Sequence, residues 1–379
     1  MKTRLTAWGA RAAMGALAAS AAACATTSPT MDGLSSSWAH RIEVPDPAPT
    51  TRSRAADCDR ACLEGMVDTY FAAVMADDPS AAPLAPDVRF TENGQILPLY
   101  PVAEGLWKSM KAPGSYRLFV TDADAGQVTL ITTVLEDGRT ESDPGVAALM
   151  TLRLKVEDGL ITEIEQIVER NPGTAERVEA LGGPRDAFLT PVPDAERMSR
   201  ADIIETANKY FTGMQKNDGK GDYPFGDRCN RIENGGFSTN VPLRDGQTMP
   251  DPMTATGYSA SWSCLQQFQS GMLYFVSHIR DRRWVAVDQE RGIAAAFGFF
   301  DHQAGSTREF TLPNGRTMIG GPAQPWTWEI FEVFKIENGT IQEIEATLAQ
   351  PPYGMISGWS TWENGHSDAS RDVTGYAEP

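Results

Sequence analysis

The stretch KVEDGLITEIE at 155–165 returns as KIENGTIQEIE at 335–345, without a gap. In both, an Asp-Gly or Asn-Gly pair stands between two alternating runs. Those dipeptides supply the positive φ angles of a tight hairpin turn. Each stretch is therefore predicted to close a structural unit on an antiparallel hairpin, and two such stretches predict two units.

Working outward, the match continues upstream. VDTYFAAVMADDP from Val67 sits beside ANKYFTGMQKNDG from Ala207, and Tyr70-Phe71 answers Tyr210-Phe211. Glu92-Asn93-Gly94 answers Glu233-Asn234-Gly235, at 22 and 23 residues from the paired tyrosines. Three matched blocks in one order mark an internal duplication. From the Glu-Asn-Gly glutamate to the last glutamate is 73 residues in copy one and 112 in copy two. The extra length falls in Gly-, Pro- and Thr-rich loops around 236–262 and 303–325.

Each copy opens on a helix, at 60–76 and 200–216, where Leu63, Met66, Val67, Tyr70, Phe71 and Val74 recur at helical spacing. Ser199 followed by Asp202 resembles a capping box. A short strand follows, at 87–92 and 228–233. Longer strands are expected at 115–122, 126–136, 146–156 and 160–169, then at 272–280, 284–288, 292–301, 326–336 and 340–349. A helix followed by antiparallel strands is α+β, with a curved sheet folded over the helix. The domains are expected at 57–172 and 198–360, with a polar tail over 361–379 that is loose or packed only by its aromatics.

The leading helix, the VRFTENG strand and the closing KVEDG hairpin resemble the nuclear-transport-factor-2-like (SnoaL-like, cystatin-like) superfamily, in an exported branch known only as a domain of unknown function. RIENG, WEIFEVFKIENGTIQEIEA and PYGMISGW carry the resemblance in copy two. It spans about 57–360. It implies two tandem cones, each a bent antiparallel sheet around N-terminal helices with an apolar cavity open at one end. It also implies an internal pseudo-dimer of the two copies. Relatives include isomerases, dehydratases, epoxide hydrolases, cyclases and lyases, and others only bind, so fold alone does not choose.

Lys2, Arg4 and Arg11 precede an alanine-rich apolar stretch, Ala12 to Ala23, that ends in SAAAC. This reads as a signal peptide over 1–23, too short to span a bilayer. Cys24 fits lipid attachment, although Ala21 stands where leucine is usual, and simple cleavage after an A-x-A site is the alternative. The expected location is the periplasm or an outer-membrane lipoprotein, with membrane contact only through that anchor. Residues 24–56 read as a flexible tether. The net charge is −17, and about −20 once the signal is removed, which argues against a nucleic-acid partner. The four remaining cysteines suggest disulfides, most simply Cys58 with Cys62 and Cys229 with Cys264.

Chemistry-bearing candidates are few. Val88, Phe90 and Glu92 share a strand face by the period of two, so Glu92 is a partly desolvated acid or base, or else a turn cap. Glu233 is its counterpart, with Arg231 and Cys229 on its face. Copy one has no histidine, so His278 and His302 are the candidate acid/base partners of Glu233, with Asp301 beside His302 but facing away. Arg282 or Tyr353 would polarise a substrate oxygen. Trp326 and Trp328 share a face and form an aromatic wall. Glu345, on the face opposite Ile344, Ala346 and Leu348, is expected at the solvent side, and it and Glu165 rank low as site residues. The sequence carries no phosphate loop, no G-x-S-x-G and no metal-ligand cluster, and no cofactor is expected. The reading is a cofactor-free isomerase, dehydratase or lyase acting on a small apolar or aromatic molecule. The alternative is a non-catalytic binding or interaction module at the cell envelope.

Overall fold

Asp59 starts the first helix, α1 (Arg60–Met75), by accepting from the Cys62 amide at 2.9 Å, and the Cys58–Cys62 disulfide ties the same turn. The computed structural model describes residues 58–136, 145–304 and 309–376; the expected signal, Cys24 and the tether lie outside them. The first copy continues through β1 (Leu84–Glu92), β2 (Gln95–Ile96), α2 (Leu106–Ser109), β3 (Met110–Asp122), β4 (Gln127–Glu136), β5 (Val146–Glu157) and β6 (Leu160–Glu169). Two short helices, α3 (Pro172–Ala180) and α4 (Asp186–Leu189), connect the copies. The second copy runs α5 (Arg200–Lys216), β7 (Phe225–Glu233), β8 (Gly236–Phe237), α6 (Cys264–Ser270), β9 (His278–Asp288), β10 (Ile293–His302), β11 (Glu309–Thr311), β12 (Thr317–Ile319), β13 (Trp326–Glu337) and β14 (Thr340–Ala349). After it come α7 (Trp362–Gly365) and β15 (Ser370–Asp372).

The fold is α+β, with two tandem cone domains. The sheets are ordered β2-β1-β6-β5-β4-β3 and β15-β9-β10-β13-β14-β7-β8. Most neighbours are antiparallel. In each copy, however, the Glu-Asn-Gly strand lies parallel to the closing strand, β1 on β6 and β7 on β14. This pairing explains the motif. Asn93 and Asn234 adopt φ of +48 and +49. From there Asn93 donates to the Val168 carbonyl at 3.2 Å and accepts from its amide at 2.7 Å. Asn234 does the same with Leu348 at 2.9 and 2.8 Å. The side chain extends the ladder by one step where the backbone turns away. Asn234→Ala should therefore cost about 2 kcal/mol, from two lost hydrogen bonds and a strained left-handed residue. The urea midpoint measures it, and Asn93→Ala should behave alike.

The inner face of each sheet wraps its helix. Leu63, Val67, Phe71 and Val74 of α1 pack on Leu130, Leu152 and Ile164, while Ile203, Phe211 and Met214 of α5 pack on Trp284, Phe334 and Ile344. The outer faces pack on each other. Leu118, Ile131 and Leu149 of the first sheet meet Phe297, Phe331 and Val333 of the second, with Phe188 of α4 in the same cluster.

Three expectations change. Glu165 and Glu345 do face away from their cone interiors, but they are 2% exposed, because the opposite sheet covers that side. The expected strands 272–280 and 284–288 are one strand, β9, with an irregular register near Asp281 (φ +52); residues 272–275 are a turn. The tail is docked, not loose. β15 pairs parallel with β9, Arg200 holds Asp372 at 2.7 Å, and the Trp284 indole donates to Ser370 at 2.8 Å. Polar docking of this kind leaves no hydrophobic period to read.

Candidate functional site

The register aligns the two copies residue by residue. In the second sheet, Glu332 of β13 pairs with Ala346 of β14, and Ala346 pairs with Glu233 of β7. In the first, Leu152 pairs with Gln166, and Gln166 with Glu92. Each row lies across the inner face of its cone. Copy two thus places two carboxyl groups on one row with only alanine between them, their Cα atoms roughly 10 Å apart across two strand spacings.

In copy one the row is filled. Glu92 Oε2 accepts from the Leu106 amide at 2.7 Å and from Gln166 at 3.0 Å, and Oε1 accepts from Arg170 at 2.6 Å. A side chain at Gly105 (φ +65) would collide with that carboxylate. Glu92 is buried and fully engaged, anchoring α2 to the end of β1. Arg170 also binds Glu136, at 2.8 Å.

In copy two the Glu233 end of the row borders a cavity of about 330 Å³. Met214, Leu273, Val276, Phe300, Trp328 and Leu348 form its apolar wall, with Glu233, Arg231, Ser238 and Tyr258 at its polar part. Glu233 Oε1 forms an ion pair with Arg231, and no described residue donates to its other oxygen. Arg231 is itself fixed. Its second terminal nitrogen donates to Gln267 at 2.8 Å, and its guanidinium lies over the Tyr210 ring at 5.5 Å. Gln267 is fully buried and donates to the carbonyls of Ser238 (2.6 Å) and Ser259 (3.3 Å). The Cys229–Cys264 disulfide joins β7 to α6 and so holds Gln267 against Arg231.

Glu332, deeper in the same row, is 1% exposed and accepts from the Tyr210 hydroxyl at 3.2 Å. Burial pushes its pKa up to about 8, the Glu233 charge adds to the rise, and Arg231 opposes it. Glu332 is thus a neutral acid near pH 7, while its row partner Glu233 is salt-bridged. A buried neutral acid on the same row as a salt-bridged carboxylate is an arrangement from which separate roles are made.

The other candidates are placed as follows. His278 is 38% exposed, 4.0 Å from Asp301, and burial lowers its pKa. Asp301 is bidentate to Arg280 at 2.7 and 3.1 Å and accepts from Thr327 at 2.7 Å, on the outer face. His302 is fully buried and stacks on Trp326 with ring centroids 3.4 Å apart. Neither of its ring nitrogens has a hydrogen bond of good geometry; the nearby carbonyls are those of Phe300 and Trp326, and burial lowers its pKa to about 4. Trp326 and Trp328 meet edge to face at 4.5 Å, but only Trp328 lines the cavity. Arg282 turns to α5, where Thr212 and Gln215 accept from it at 3.1 and 3.0 Å. Tyr353 is 49% exposed and outside the cavity wall. No ion pair or hydrogen bond joins Glu233 to either histidine. The sequence reading missed Glu332, Gln267 and Tyr258. For Glu332 a signal existed: Trp328, Ile330, Phe334 and Ile336 alternate on one face with a single glutamate among them.

A tandem pair of α+β cones, the second with a carboxylate at its cavity, defines the class. The chain belongs to the family described as a domain of unknown function (DUF8021), whose model matches residues 56–168 and 196–348. No curated protein matches it. Among solved structures, AclR from Streptomyces galilaeus, described provisionally as a hydroxylase, is 17% identical, with 36% of this chain and 92% of that one covered and a TM-score of 0.22. A protein of unknown function with a cystatin-like fold from Methylobium petroleophilum PM1 is 18% identical, at 29% and 78% coverage and a TM-score of 0.21. A de novo designed protein with a curved β-sheet is 18% identical, at 33% and 97% coverage and a TM-score of 0.22.

Proposed function

We propose that the second cone is the active domain of an exported, nuclear-transport-factor-2-like (SnoaL-like) enzyme that moves a proton on a small apolar or aromatic molecule. The isomerase, dehydratase or lyase type fits best. The carrying observation is the Glu332–Ala346–Glu233 row beside a 330 Å³ apolar cavity. Glu233 presents an oxygen without a protein donor, so it is the base. It takes a proton from the bound substrate and returns it to another atom of the same molecule, or to the group that leaves. Arg231 beside it balances the charge, and the apolar wall excludes water, which strengthens both effects. Glu332, held neutral by burial, keeps a second negative charge out of the cone.

In the first cone the matching Glu92 is fully hydrogen-bonded, and that cone supports the second as scaffold. Two disulfides in the described residues agree with an oxidising compartment, and so with export through the N-terminal signal, with or without a lipid on Cys24.

A metabolite screen by thermal shift, followed by turnover assays, tests the reading. Glu233→Gln should lose about 100-fold or more in turnover while keeping ligand binding, the usual worth of a positioned base. An unchanged rate removes Glu233 from the mechanism. Ligand binding without turnover in the native chain favours the binding-module alternative instead.

A further inference from the structure

The polar part of the cavity is not symmetric between donors and acceptors. Arg231 and Glu233 cancel in charge, but they are not equally accessible: their side chains are 5% and 25% exposed. Each terminal nitrogen of Arg231 makes one hydrogen bond, to Glu233 and to Gln267, and its Nε–H is buried without a partner. Gln267 cannot yield, because its own amide donates to the carbonyls of Ser238 and Ser259, and its α6 helix is tied to β7 by the disulfide. The guanidinium is therefore not free to swing onto a ligand anion. The remaining polar lining side chain of note, Tyr258, donates its hydroxyl hydrogen to the Ser238 carbonyl at 2.7 Å. That leaves the lone pairs of its oxygen for a guest. Glu233 Oε2 and Tyr258 Oη both present acceptors.

Resting on the proposed role of this cavity, we infer that the second cone selects neutral aromatic molecules that bring a hydrogen-bond donor, such as a hydroxyl, to Glu233, and rejects aromatic carboxylates. A carboxylate would face two exposed acceptors, while Arg231, 5% exposed and already paired with Glu233, has little surface to offer it, so the carboxylate would lose its hydration for an incomplete return. A guest lacking a donor leaves the Glu233 oxygen dry and unpaired, which is costly in an apolar cavity. An amine meets Glu233 but also the fixed Arg231 charge beside it. Phe300 and Trp328 in the wall suit a flat ring system. The proton lost to Glu233 in the proposed reaction is then the donated hydrogen itself, or one on a carbon made acidic by the same group.

The test uses four probes of one size on the mature chain at pH 7: 2-naphthol, 2-methoxynaphthalene, 2-naphthoate and 2-naphthylmethylamine, titrated by ligand-observed NMR with thermal shift in parallel. The naphthol should bind at least tenfold tighter than the methoxy compound and the naphthoate. Glu233→Gln should shrink the naphthol preference and raise naphthoate affinity, since Arg231 is then uncompensated. Arg231→Met should make the amine the tightest probe. Equal binding of naphthol and methoxynaphthalene, naphthoate as the best probe, or no binding of any probe each overturns the inference. The outcomes separate it from the acid/base reading. A carboxylate substrate turned over with Glu233 dependence keeps that reading and sinks this one. A naphthol preference with turnover indifferent to Glu233→Gln does the reverse.

Discussion

Arg283→Ala is expected to lower the unfolding free energy by about 3–5 kcal/mol, the usual cost of breaking a buried pair by removing one partner. Arg283 leaves β9 on the outer face of the second sheet and crosses to β6 of the first. There it grips Glu165 with two hydrogen bonds, at 2.6 and 3.0 Å. Both side chains are 2% exposed. Asp281 lies 3.4 Å from the same guanidinium, and Arg153 shares Glu165 at 3.1 Å. Removing Arg283 leaves Glu165 with one cation and strands negative charge between two sheets that water does not reach. Glu329, buried nearby, has its pKa pushed up to about 8 by burial and by the Glu165 charge, and Arg283 restrains that rise. The loss therefore spreads beyond one contact. The double change Arg283→Met with Glu165→Gln should recover more than half of the single loss, because it leaves no orphan charge. Urea unfolding decides it. A loss below about 1 kcal/mol would mean that the apolar cluster around Phe297 and Phe331 holds the sheets without the ion pair.

This contact also marks where the sequence stops being legible. The period of two placed Glu345 on the face away from Ile344 and Ala346, and the structure agrees. It could not say what covers that face, because the cover is another copy of the same fold, brought there by α3 and α4. A charged residue opposite an apolar stripe reads as solvent-facing unless its partner in the other copy is known. Tyr116, whose hydroxyl meets both Glu345 oxygens at 2.6 and 2.7 Å, lies 229 residues away. The duplication, both helices, the hairpins and both disulfide pairs were local, and so were readable. The site was half readable. Glu233 and Arg231 followed from their shared strand face. Their difference from Glu92 depended on Gln166, Leu152 and Phe90 standing where Ala346, Glu332 and Arg231 stand, and only the register shows that. The histidines drew attention by chemical type, whereas His302 is packed among tryptophans and His278 sits at the surface end of β9.

Stability should fall as pH rises from about 5 to 8, with the steepest loss near pH 7. Three carboxyl groups set the sign. Burial pushes Glu329 and Glu332 up to about 8, and Glu345 to about 7, with Glu343 adding to the last. In the unfolded chain each returns to about 4.3. Below that value both states hold the proton, and no difference arises. Between it and the folded value the folded state holds more protons than the unfolded one, so rising pH favours unfolding. The slope is at most about 1.4 kcal/mol per pH unit for each group. The opposite sign belongs to carboxylates such as Glu163, which Arg153 and Lys155 hold below the usual range despite its burial. These lose stability only as pH falls below about 4, whereas His302, held at about 4 by burial, binds its proton only in the unfolded chain between about pH 4 and 6.5 and offsets one carboxyl group's slope there. The optimum should therefore lie near pH 5, on the acid side of neutral. Glutamine mimics the protonated acid, so Glu332→Gln should leave stability at pH 5 nearly unchanged and raise it at pH 8. Glu345→Gln should do likewise at pH 7 and above, keeping an acceptor for Tyr116. Urea midpoints measured from pH 5 to 8 test this. A flat profile in the native chain, or a Glu332→Gln profile parallel to it, would mean that Glu332 already carries its charge in the folded cone. In that case the row would carry a second, buried charge at Glu332, and the division of roles between Glu233 as base and Glu332 as the silent neutral partner would fail with it.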